Sequence, residues 1–174
     1  MTTMDPVDVR ILARLQEDGR ITKHRLAKLV KLSPSACGQR ITRLAQHGYI
    51  RGYHAEVELE RIVRTDLVIV QFTLGDRREP GIARFERAMQ TTPEVTECLA
   101  VGTRVDYIAT FTVTGVAHFR EVAEKLLRSN LGIQKLSSYI ATKTIKRPVA
   151  PPVERLLERL RRETAQKPGD ASEP

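Results

Sequence analysis

The sequence predicts an α+β protein with a purely helical first third and mixed helices and strands after it. Residues 5–48 hold three apolar stripes at helical spacing, separated by turn residues. Residues 66–144 instead alternate β-branched and aromatic runs with amphipathic stretches, in the order β-α-β-β-α-β. A chain of 174 residues is long enough for two such domains, each with its own core.

The bulk composition favours a soluble cytoplasmic protein. Hydrophobic residues make up 41% of the chain and charged residues 29%, as in ordinary globular proteins. No apolar run approaches the length of a spanning helix, and the acidic residues near the start do not fit a signal peptide. Cys37 and Cys98 lie far apart without metal-ligand spacing, which favours reduced thiols.

The net charge of +8 is concentrated in one window of the chain. Between Gly19 and Ala55 there is no aspartate or glutamate. The basic residues of this window are Arg20, Lys23, Arg25, Lys28, Lys31, Arg40, Arg43 and Arg51. Solvated surfaces usually interleave both signs, so an acid-free basic stretch on a folded module favours a polyanionic partner such as nucleic acid.

Three helices are predicted in an N-terminal domain spanning residues 1–54. The first begins at Asp5-Pro6, with an acidic cap and a proline in the first turn, and ends at Asp18-Gly19. The second spans residues 22–30, and the third runs from Ser33-Pro34 to about residue 48. Two short helices joined by a tight turn and braced by a preceding helix form a helix-turn-helix, here expected to be of the winged type.

The third helix carries the predicted DNA-reading face. Its apolar stripe of Cys37, Ile41 and Leu44 must point inward. The opposite face then presents arginine and glutamine for base edges, while lysines of the second helix meet phosphates. The predicted DNA-contacting residues are Lys23, Lys28, Ser33, Ser35, Gln39, Arg40, Arg43 and Arg51. The alternative is an ordinary exposed polar helix face.

A second domain is predicted at residues 66–147, after a linker strand or loop at residues 55–65. Its elements are a strand at 67–74, a helix at 80–89, strands at 95–101 and 107–113, a helix at 116–128 and a strand at 133–144. Two β-α-β halves of similar size predict a ferredoxin-like sheet with both helices on one face. The first strand is apolar on both faces, so a second copy of the sheet is expected to cover the open one in a two-fold dimer.

Residues 148–174 are predicted to form a C-terminal extension. After Pro151-Pro152, apolar residues at 153, 156, 157 and 160 make an amphipathic stretch of about two turns. We expect this stretch either to dock on a neighbouring subunit or to cover its own domain. From Gln166 onward the composition predicts a disordered tail.

Three stretches of the N-terminal domain resemble the Lrp/AsnC (feast/famine) family of transcription regulators. They are Asp8–Leu15, Leu26–Leu44 with its Leu-Ser-Pro…Cys…Arg pattern, and Gly48–Tyr53. The resemblance covers about residues 5–147 and implies an ACT-like sensor domain that forms dimers, often associated into tetramers or octamers. Lys31 departs from it, because family members usually carry a turn glycine there and lysine is less suited to positive φ.

The resemblance also implies an effector site in the turn between the two middle strands, where family members carry glycine-acid-aromatic-Asp-aromatic. The corresponding residues are Gly102, Thr103, Arg104, Asp106 and Tyr107. The glycine lies one place early, and Arg104 replaces the common acid. A guanidinium suits a carboxylate or phosphate. The alternative is a surface arginine paired with a neighbouring acid.

Together these features predict a sequence-specific DNA-binding transcription regulator whose DNA binding or assembly responds to an amino acid or related carboxylate. The alternative is an effector-independent architectural DNA-binding protein. An enzyme, a cofactor and a metal are not expected, because the chain lacks a phosphate-binding glycine loop, a Ser/His/Asp arrangement and a cluster with ligand spacing. An RNA-binding role is disfavoured, because the predicted sheet lacks an aromatic stacking pattern. The expected partners are double-stranded DNA, a small-molecule effector and a second copy of the chain, but no membrane.

Overall fold

The computed structural model describes residues 4–76, 78–102, 104–147 and 150–165. Its elements are α1 (Pro6–Glu17), α2 (Lys23–Val30), α3 (Pro34–Gln46), a 3-10 turn (Leu59–Arg61), β1 (Asp66–Leu74), α4 (Glu79–Thr91), β2 (Val95–Ala100), β3 (Tyr107–Val113), α5 (Val116–Arg128), β4 (Ile133–Ile140) and α6 (Val153–Ala165). The described residues form two compact units. The N-terminal unit extends to Glu56 and includes the residues from Arg147 onward, and the C-terminal unit spans Val57–Lys146. No helix within these described ranges is long and apolar enough to cross a membrane.

Side-chain caps start the first three helices where the sequence predicts them. The Asp5 carboxylate accepts hydrogen bonds from the backbone N–H groups of Val7 and Asp8, each at 2.8 Å. Thr22 and Ser33 cap α2 and α3 by accepting from N–H groups three residues further on. Each such cap contributes about 0.5–2 kcal/mol, so local sequence fixes where these helices begin.

The first three helices pack around one apolar core. Its fully buried members are Ile11, Leu26, Ala27, Val30, Cys37 and Leu44. Burial raises the pKa of the Cys37 thiol, as expected for a packed rather than a reactive cysteine. Leu29 does not face this core. Its side chain is 51% exposed, and Ala27 occupies the inner face of α2 instead.

Lys31 makes the turn between α2 and α3. Its φ and ψ are 59° and 48°, in the left-handed region, as expected from the missing turn glycine. The turn closes α2 with backbone hydrogen bonds from Lys31 to Lys28 and from Leu32 to Ala27. A side chain in this region costs roughly 1–2 kcal/mol, so the turn is made at the expense of some stability.

No wing strand follows α3. Every residue between α3 and β1 is described, and the only regular element there is the 3-10 turn Leu59–Arg61. The winged part of the predicted fold class is therefore not formed, and the linker at residues 55–65, expected as a strand or a loop, is a loop that contains this 3-10 turn. The physical reason is that a strand needs a neighbour for its backbone N–H and C=O groups, and this segment pairs with none of the four strands.

The helix α6 packs against α1 within the N-terminal unit. It contains 13 residues and is longer than the two turns predicted. Val153 and Leu157 are half-buried, whereas Leu156 and Leu160 are 54% and 59% exposed. The amphipathic stretch thus packs on the N-terminal unit of its own chain, and not on the C-terminal domain that precedes it in the sequence. The tail predicted to be disordered from Gln166 lies outside the described residues.

The C-terminal unit is an antiparallel sheet of strand order β2-β3-β1-β4. Helices α4 and α5 cover one face, which is the predicted ferredoxin-like arrangement. The alternating residues Val68, Val70, Phe72 and Leu74 of β1 are buried beneath the two helices. On α5 the buried residues are Val122, Ala123 and Leu126, whereas Leu127 is 52% exposed.

The opposite face of the sheet is open and partly apolar. Ile69 on β1 lies in register with Thr110 on β3 and Tyr139 on β4. Leu99 on β2 lies in register with Ile108 on β3. The side chains of Ile69, Leu99 and Tyr139 are 38%, 51% and 53% exposed. This is the open face that the sequence analysis expects a second copy to cover.

Candidate nucleic-acid interface and effector site

The outward face of α3 forms a polar surface beside the start of α2. Ser35, Gln39, Thr42 and Gln46 are exposed along it. With Lys23, Pro34, Gly38 and Arg43 they line an open groove of about 430 Å³. None of these lining residues is acidic, so no carboxylate that lines the groove would repel an anion.

Gly38 lies on α3 within this groove. A Cβ added there would lie 3.9 Å from Cδ of Lys23, an ordinary van der Waals contact. The packing of the helices therefore does not require glycine at this position. The missing side chain instead leaves space on the outward face, where a ligand would approach the helix backbone.

A buried carboxylate on α1 holds two arginines of α3. The Asp8 side chain is 0% exposed. Its Oδ1 accepts from Nη1 of Arg40 at 2.8 Å, and its Oδ2 accepts from Nη2 of Arg43 at 2.6 Å. Oδ2 also accepts from the backbone N–H of Asp5 at 3.2 Å, which completes a capping box at the start of α1. The buried charge is thus paired by hydrogen-bonded cations, as burial requires.

The two arginines differ in their availability to DNA. Nη1 of Arg40 also donates to Oδ2 of Asp5 at 2.6 Å, and the Arg40 side chain is 28% exposed. Hydrogen bonds to Asp5 and Asp8 raise the pKa of Arg40. Burial opposes ionisation of Asp5, but the Asp8 N–H group and the Arg40 guanidinium outweigh it and lower the pKa of Asp5. Arg43 has one carboxylate contact and is 41% exposed at the groove, so its surroundings suit DNA contact better than those of Arg40.

The other predicted DNA-contacting residues have separate surroundings. Lys28 and Arg51 are exposed but do not line the groove. The Ser33 hydroxyl is engaged as a helix cap, accepting from the backbone N–H of Ala36 at 3.2 Å. The predicted residues that the structure brings together in the groove are Lys23, Ser35, Gln39 and Arg43.

Sequence reasoning did not identify Asp8 as part of this site. The signal was present, because Asp8, Ile11, Leu12 and Leu15 share the spacing of one helix face. A carboxylate within an otherwise apolar stripe must find a cation or a set of donors. The candidate cations for Asp8 lie in the acid-free window of the sequence, because α3 carries arginines and no acidic residue.

The turn between β2 and β3 presents part of the predicted effector site. Gly102 and Arg104 are exposed, and Arg104 forms no ion pair with a described residue. The Asp106 carboxylate accepts from the backbone N–H of Leu74 at 2.8 Å, which ties the turn to the end of β1. Thr103 lies outside the described residues. Among the described residues of the turn, Arg104 is therefore the exposed cation. The Asp106 carboxylate already accepts a hydrogen bond from the backbone.

Tyr107 lies in the core of the C-terminal unit rather than on the turn. Its side chain is 6% exposed, and its ring centroid lies 4.6 Å from that of Phe85. The hydroxyl donates to Oε1 of Glu86 at 2.8 Å. Burial, followed by the Glu86 contacts, raises the pKa of Tyr107 to about 12. Tyr107 reaches a ligand only through the hydroxyl end of its ring.

A cavity of about 450 Å³ lies between α4 and β2, beside this hydroxyl. It is lined by Glu86, Met89, Gln90, Val95, Thr96, Glu97, Cys98, Ala100 and Tyr107. Burial, followed by the charge of Glu86, raises the pKa of the Cys98 thiol. Within the part of the chain that the structure describes, no three His, Cys, Asp or Glu side chains gather as a metal site.

Two family models match the chain. The AsnC-type helix-turn-helix domain matches residues 4–45, and the Lrp/AsnC ligand binding domain matches residues 67–151. The first match contains the groove of α2 and α3 except for the lining residue Gln46. The second match contains the turn, the cavity and the whole sheet except Asp66, and it ends before α6 begins.

Named relatives align over most of the chain. The transcriptional regulatory protein DoeX of Halomonas elongata is 42% identical over 147 residues, which cover 84% of this chain and 93% of that protein. The leucine-responsive regulatory protein of Escherichia coli is 32% identical over 143 residues, which cover 82% of this chain and 87% of that protein.

Solved structures share the same architecture. A transcriptional regulator from Neisseria meningitidis in complex with L-Met has a TM-score of 0.80 and 29% identity, covering 88% of this chain and 99% of that one. An AsnC family transcriptional regulator from Agrobacterium tumefaciens has a TM-score of 0.81 and 27% identity, also covering 88% and 99%.

Proposed function

Because the chain belongs to the Lrp/AsnC family of transcription regulators, we propose that it reads duplex DNA with the outward face of α3. The single observation that carries this proposal is the acid-free groove in which Lys23, Ser35, Gln39 and Arg43 lie together. Glutamine and arginine can form bidentate hydrogen bonds with adenine and guanine edges. Ser35 and Gly38 leave the helix surface low enough for close approach to the major groove.

The predicted residues outside the groove are assigned either to the sugar-phosphate backbone or to structural roles. Lys28 and Arg51 are exposed cations, and with Lys23 they supply the salt-sensitive part of the affinity. Ser33 is assigned to capping α3, where its N-terminus also suits a phosphate. Arg40 is assigned to holding α1 against α3, because two carboxylates already engage its guanidinium.

We assign DNA binding to residues 1–54 and assembly and sensing to residues 66–147. The exposed apolar residues Ile69, Leu99 and Tyr139 on the open sheet face support pairing with the same face of a second copy. Such a self-complementary contact produces a two-fold dimer. A two-fold dimer of helix-turn-helix units binds two half-sites of a palindrome-like operator.

The effector is proposed to be an amino acid or a related carboxylate. The exposed Arg104 beside Gly102 offers a guanidinium to a carboxylate. Glu86 and Glu97 in the neighbouring cavity offer acceptors to an ammonium group. The regulator from Neisseria meningitidis, solved in complex with L-Met, supports this class of ligand. To switch function, the effector must bind one state better than another, typically by about 1–3 kcal/mol.

The proposed role is regulation rather than catalysis, in the cytoplasm where DNA is available. The matched relatives are transcription regulators, which supports this reading. The second candidate is an effector-independent architectural protein that shapes DNA. It is favoured by the engagement of Asp106 with β1, which leaves the turn with fewer free groups for a ligand than the sequence suggests.

DNA recognition is tested with the full chain and a duplex selected by it from a random library. Fluorescence anisotropy over a salt series should give a log–log slope of about −0.9 per phosphate neutralised. Lys28→Ala should make this slope shallower by about 0.9, whereas Lys125→Ala, on α5 in the other unit, should not change it. Arg43→Ala should cost about 1–3 kcal/mol on the selected duplex. An unchanged preference in both Arg43→Ala and Gln39→Ala would place recognition elsewhere.

Effector binding is tested by thermal shift over a panel of amino acids and organic acids. A ligand of the proposed class should raise the melting temperature, because binding to the native state alone stabilises it. Arg104→Ala should abolish the shift, whereas Arg120→Ala, an exposed arginine on α5, should retain it. A shift that survives Arg104→Ala would move the site, and no shift across the panel would favour the architectural alternative.

A further inference from the structure

The proposed DNA-reading face is connected to a residue that never reaches the surface. Asp8 lies on α1, its side chain is 0% exposed, and it bonds Arg43 on α3 at 2.6 Å. We propose that Asp8 is a positioning residue for base recognition, which fixes the Arg43 guanidinium in a conformation that favours specific over nonspecific DNA. This inference rests on the proposed function, in which Arg43 reads bases.

The geometry leaves Arg43 able to bond both Asp8 and a base. A guanidinium has five N–H donors in a rigid fork, and Asp8 accepts from Nη2 alone. The side chain is still 41% exposed at the groove. Arginine has many rotamers, and binding costs less when one of them is selected before the partner arrives. Asp8 thus lowers the entropic cost of the specific contact.

Asp8 can act as a fixed point because two groups other than Arg43 hold its carboxylate. Arg40 bonds its Oδ1 at 2.8 Å, and the backbone N–H of Asp5 bonds its Oδ2 at 3.2 Å. Arg40 in turn is bound by the Asp5 carboxylate at 2.6 Å. The carboxylate therefore cannot follow Arg43 if that side chain turns toward a phosphate, and this restraint is what distinguishes positioning from simple pairing.

The same contacts reduce the positive charge that the protein presents to nonspecific DNA. Asp5 and Asp8 offset the charges of Arg40 and Arg43 at the edge of the basic surface. Removing the Asp8 charge would release a mobile cation toward the phosphates, and phosphate contacts dominate nonspecific affinity. A positioning role therefore predicts opposite changes for specific and nonspecific DNA, whereas a purely structural ion pair predicts a parallel loss.

The test is Asp8→Asn in the full chain, with circular dichroism to verify folding. The probes are the duplex selected from a random library and a scrambled duplex of the same length and composition. The ratio of the two affinities should fall roughly three- to tenfold, as expected for losing the pre-organisation of one long side chain. Affinity for the scrambled duplex should rise at low salt, with a steeper salt dependence. Equal losses on both probes, at an unchanged ratio, would overturn the proposal.

Two variants separate this proposal from the one on which it rests. Asp5→Asn removes the same charge, but from a side chain that contacts Arg40 and not Arg43, so it should strengthen binding of both probes alike and preserve the ratio. In an Arg43→Ala background, Asp8→Asn should produce no further loss of the ratio. If Arg43→Ala alone leaves the ratio intact, the recognition face is misplaced. If Arg43→Ala lowers it and Asp8→Asn does not, only the role of Asp8 fails.

A measurement on the unmodified protein covers the case in which Asp8→Asn does not fold. Side-chain ¹⁵N spectra should show hindered rotation of the Arg43 guanidinium before DNA is added, and the same hindered state in the complex. An Arg43 guanidinium that rotates freely in the absence of DNA would contradict the proposal.

Discussion

The Tyr107 hydroxyl donates a hydrogen bond to Oε1 of Glu86 at 2.8 Å and thereby joins β3 to α4. The phenol ring is almost buried, at 6% exposure. Ionising this phenol would leave two anions in contact at the edge of the core. Burial, followed by Glu86, accordingly raises the pKa of Tyr107 to about 12.

Alkaline pH should therefore destabilise the C-terminal unit through Tyr107. The phenol of the unfolded chain ionises near pH 10, and that of the folded chain near pH 12. The stabilisation is complete below pH 10 and is lost as the pH rises toward 12, by up to about 2–3 kcal/mol. Urea unfolding between pH 8 and pH 11 measures it. Tyr107→Phe should show a smaller decline over this range, and parallel profiles of the two proteins would contradict the assignment.

Replacing Lys31 by glycine should stabilise the N-terminal unit. Lys31 holds a left-handed φ of 59°, which costs roughly 1–2 kcal/mol for a side-chain-bearing residue. Glycine removes this cost but adds entropy to the unfolded chain, about 0.4–1 kcal/mol, so a net gain of up to about 1.6 kcal/mol is expected. The measurement is chemical denaturation, with Lys31→Ala as the matched control that removes the charge and keeps the strain. A gain in the control equal to that of Lys31→Gly would attribute the effect to charge.

Gly38→Ala should raise the stability of the protein and lower its affinity for DNA. Alanine improves helix propensity by about 1 kcal/mol, and its Cβ has ordinary contacts in the free protein. If α3 lies close to the major-groove floor, the added methyl must displace the helix and weaken binding of the selected duplex. Thermal melting and anisotropy measure the two effects. A matched change on the same helix, Ala45→Gly, should lower stability without a gain in DNA affinity. If Gly38→Ala binds the selected duplex as tightly as the unmodified protein, α3 does not approach the DNA closely at this residue.

A charge on the open sheet face should dissociate the proposed dimer. Ile69→Glu places a carboxylate in the centre of that face, where burial against a second copy would leave it unpaired. Light scattering should then report a monomer at concentrations at which the unmodified protein is a dimer. Leu127→Glu, at an exposed leucine on α5, is the control and should remain dimeric. A dimeric Ile69→Glu protein would move the interface to another surface.

Much of the fold was predictable because its signals are local. The helix starts at Pro6, Lys23 and Pro34 follow from caps one residue earlier, and a cap acts within four residues of itself. The bounds predicted for β3 and α5 are confirmed without change, because a period of two or of 3.6 is legible in each segment. The left-handed turn at Lys31 was expected from the family resemblance, which places a glycine there, and not from its residue type, because lysine disfavours positive φ.

The side-chain roles that depend on contacts between elements were less accessible. Arg40 has the spacing of an outward residue on α3, but α1 crosses beside it and supplies Asp5 and Asp8. In the sequence, Asp106 resembles a ligand-binding acid. In the fold, β1 ends beside it, and the backbone N–H of Leu74 donates to one of its carboxylate oxygens. Periodicity gives the direction of a side chain on its own element, but not the neighbour that it meets.

The packing of α6 on α1 makes the N-terminal unit discontinuous along the chain. Val153 at the start of α6 lines a surface cleft with Leu12 and Leu15 of α1, yet the whole C-terminal unit lies between them in the sequence. The start of α6 lies 136 positions after the end of α1, so at about 5–20 residues per second roughly 7–27 s separate the emergence of the two helices during synthesis. The helix-turn-helix therefore leaves the ribosome with part of its apolar surface exposed, and α6, translated after the whole C-terminal unit, completes the first unit to appear.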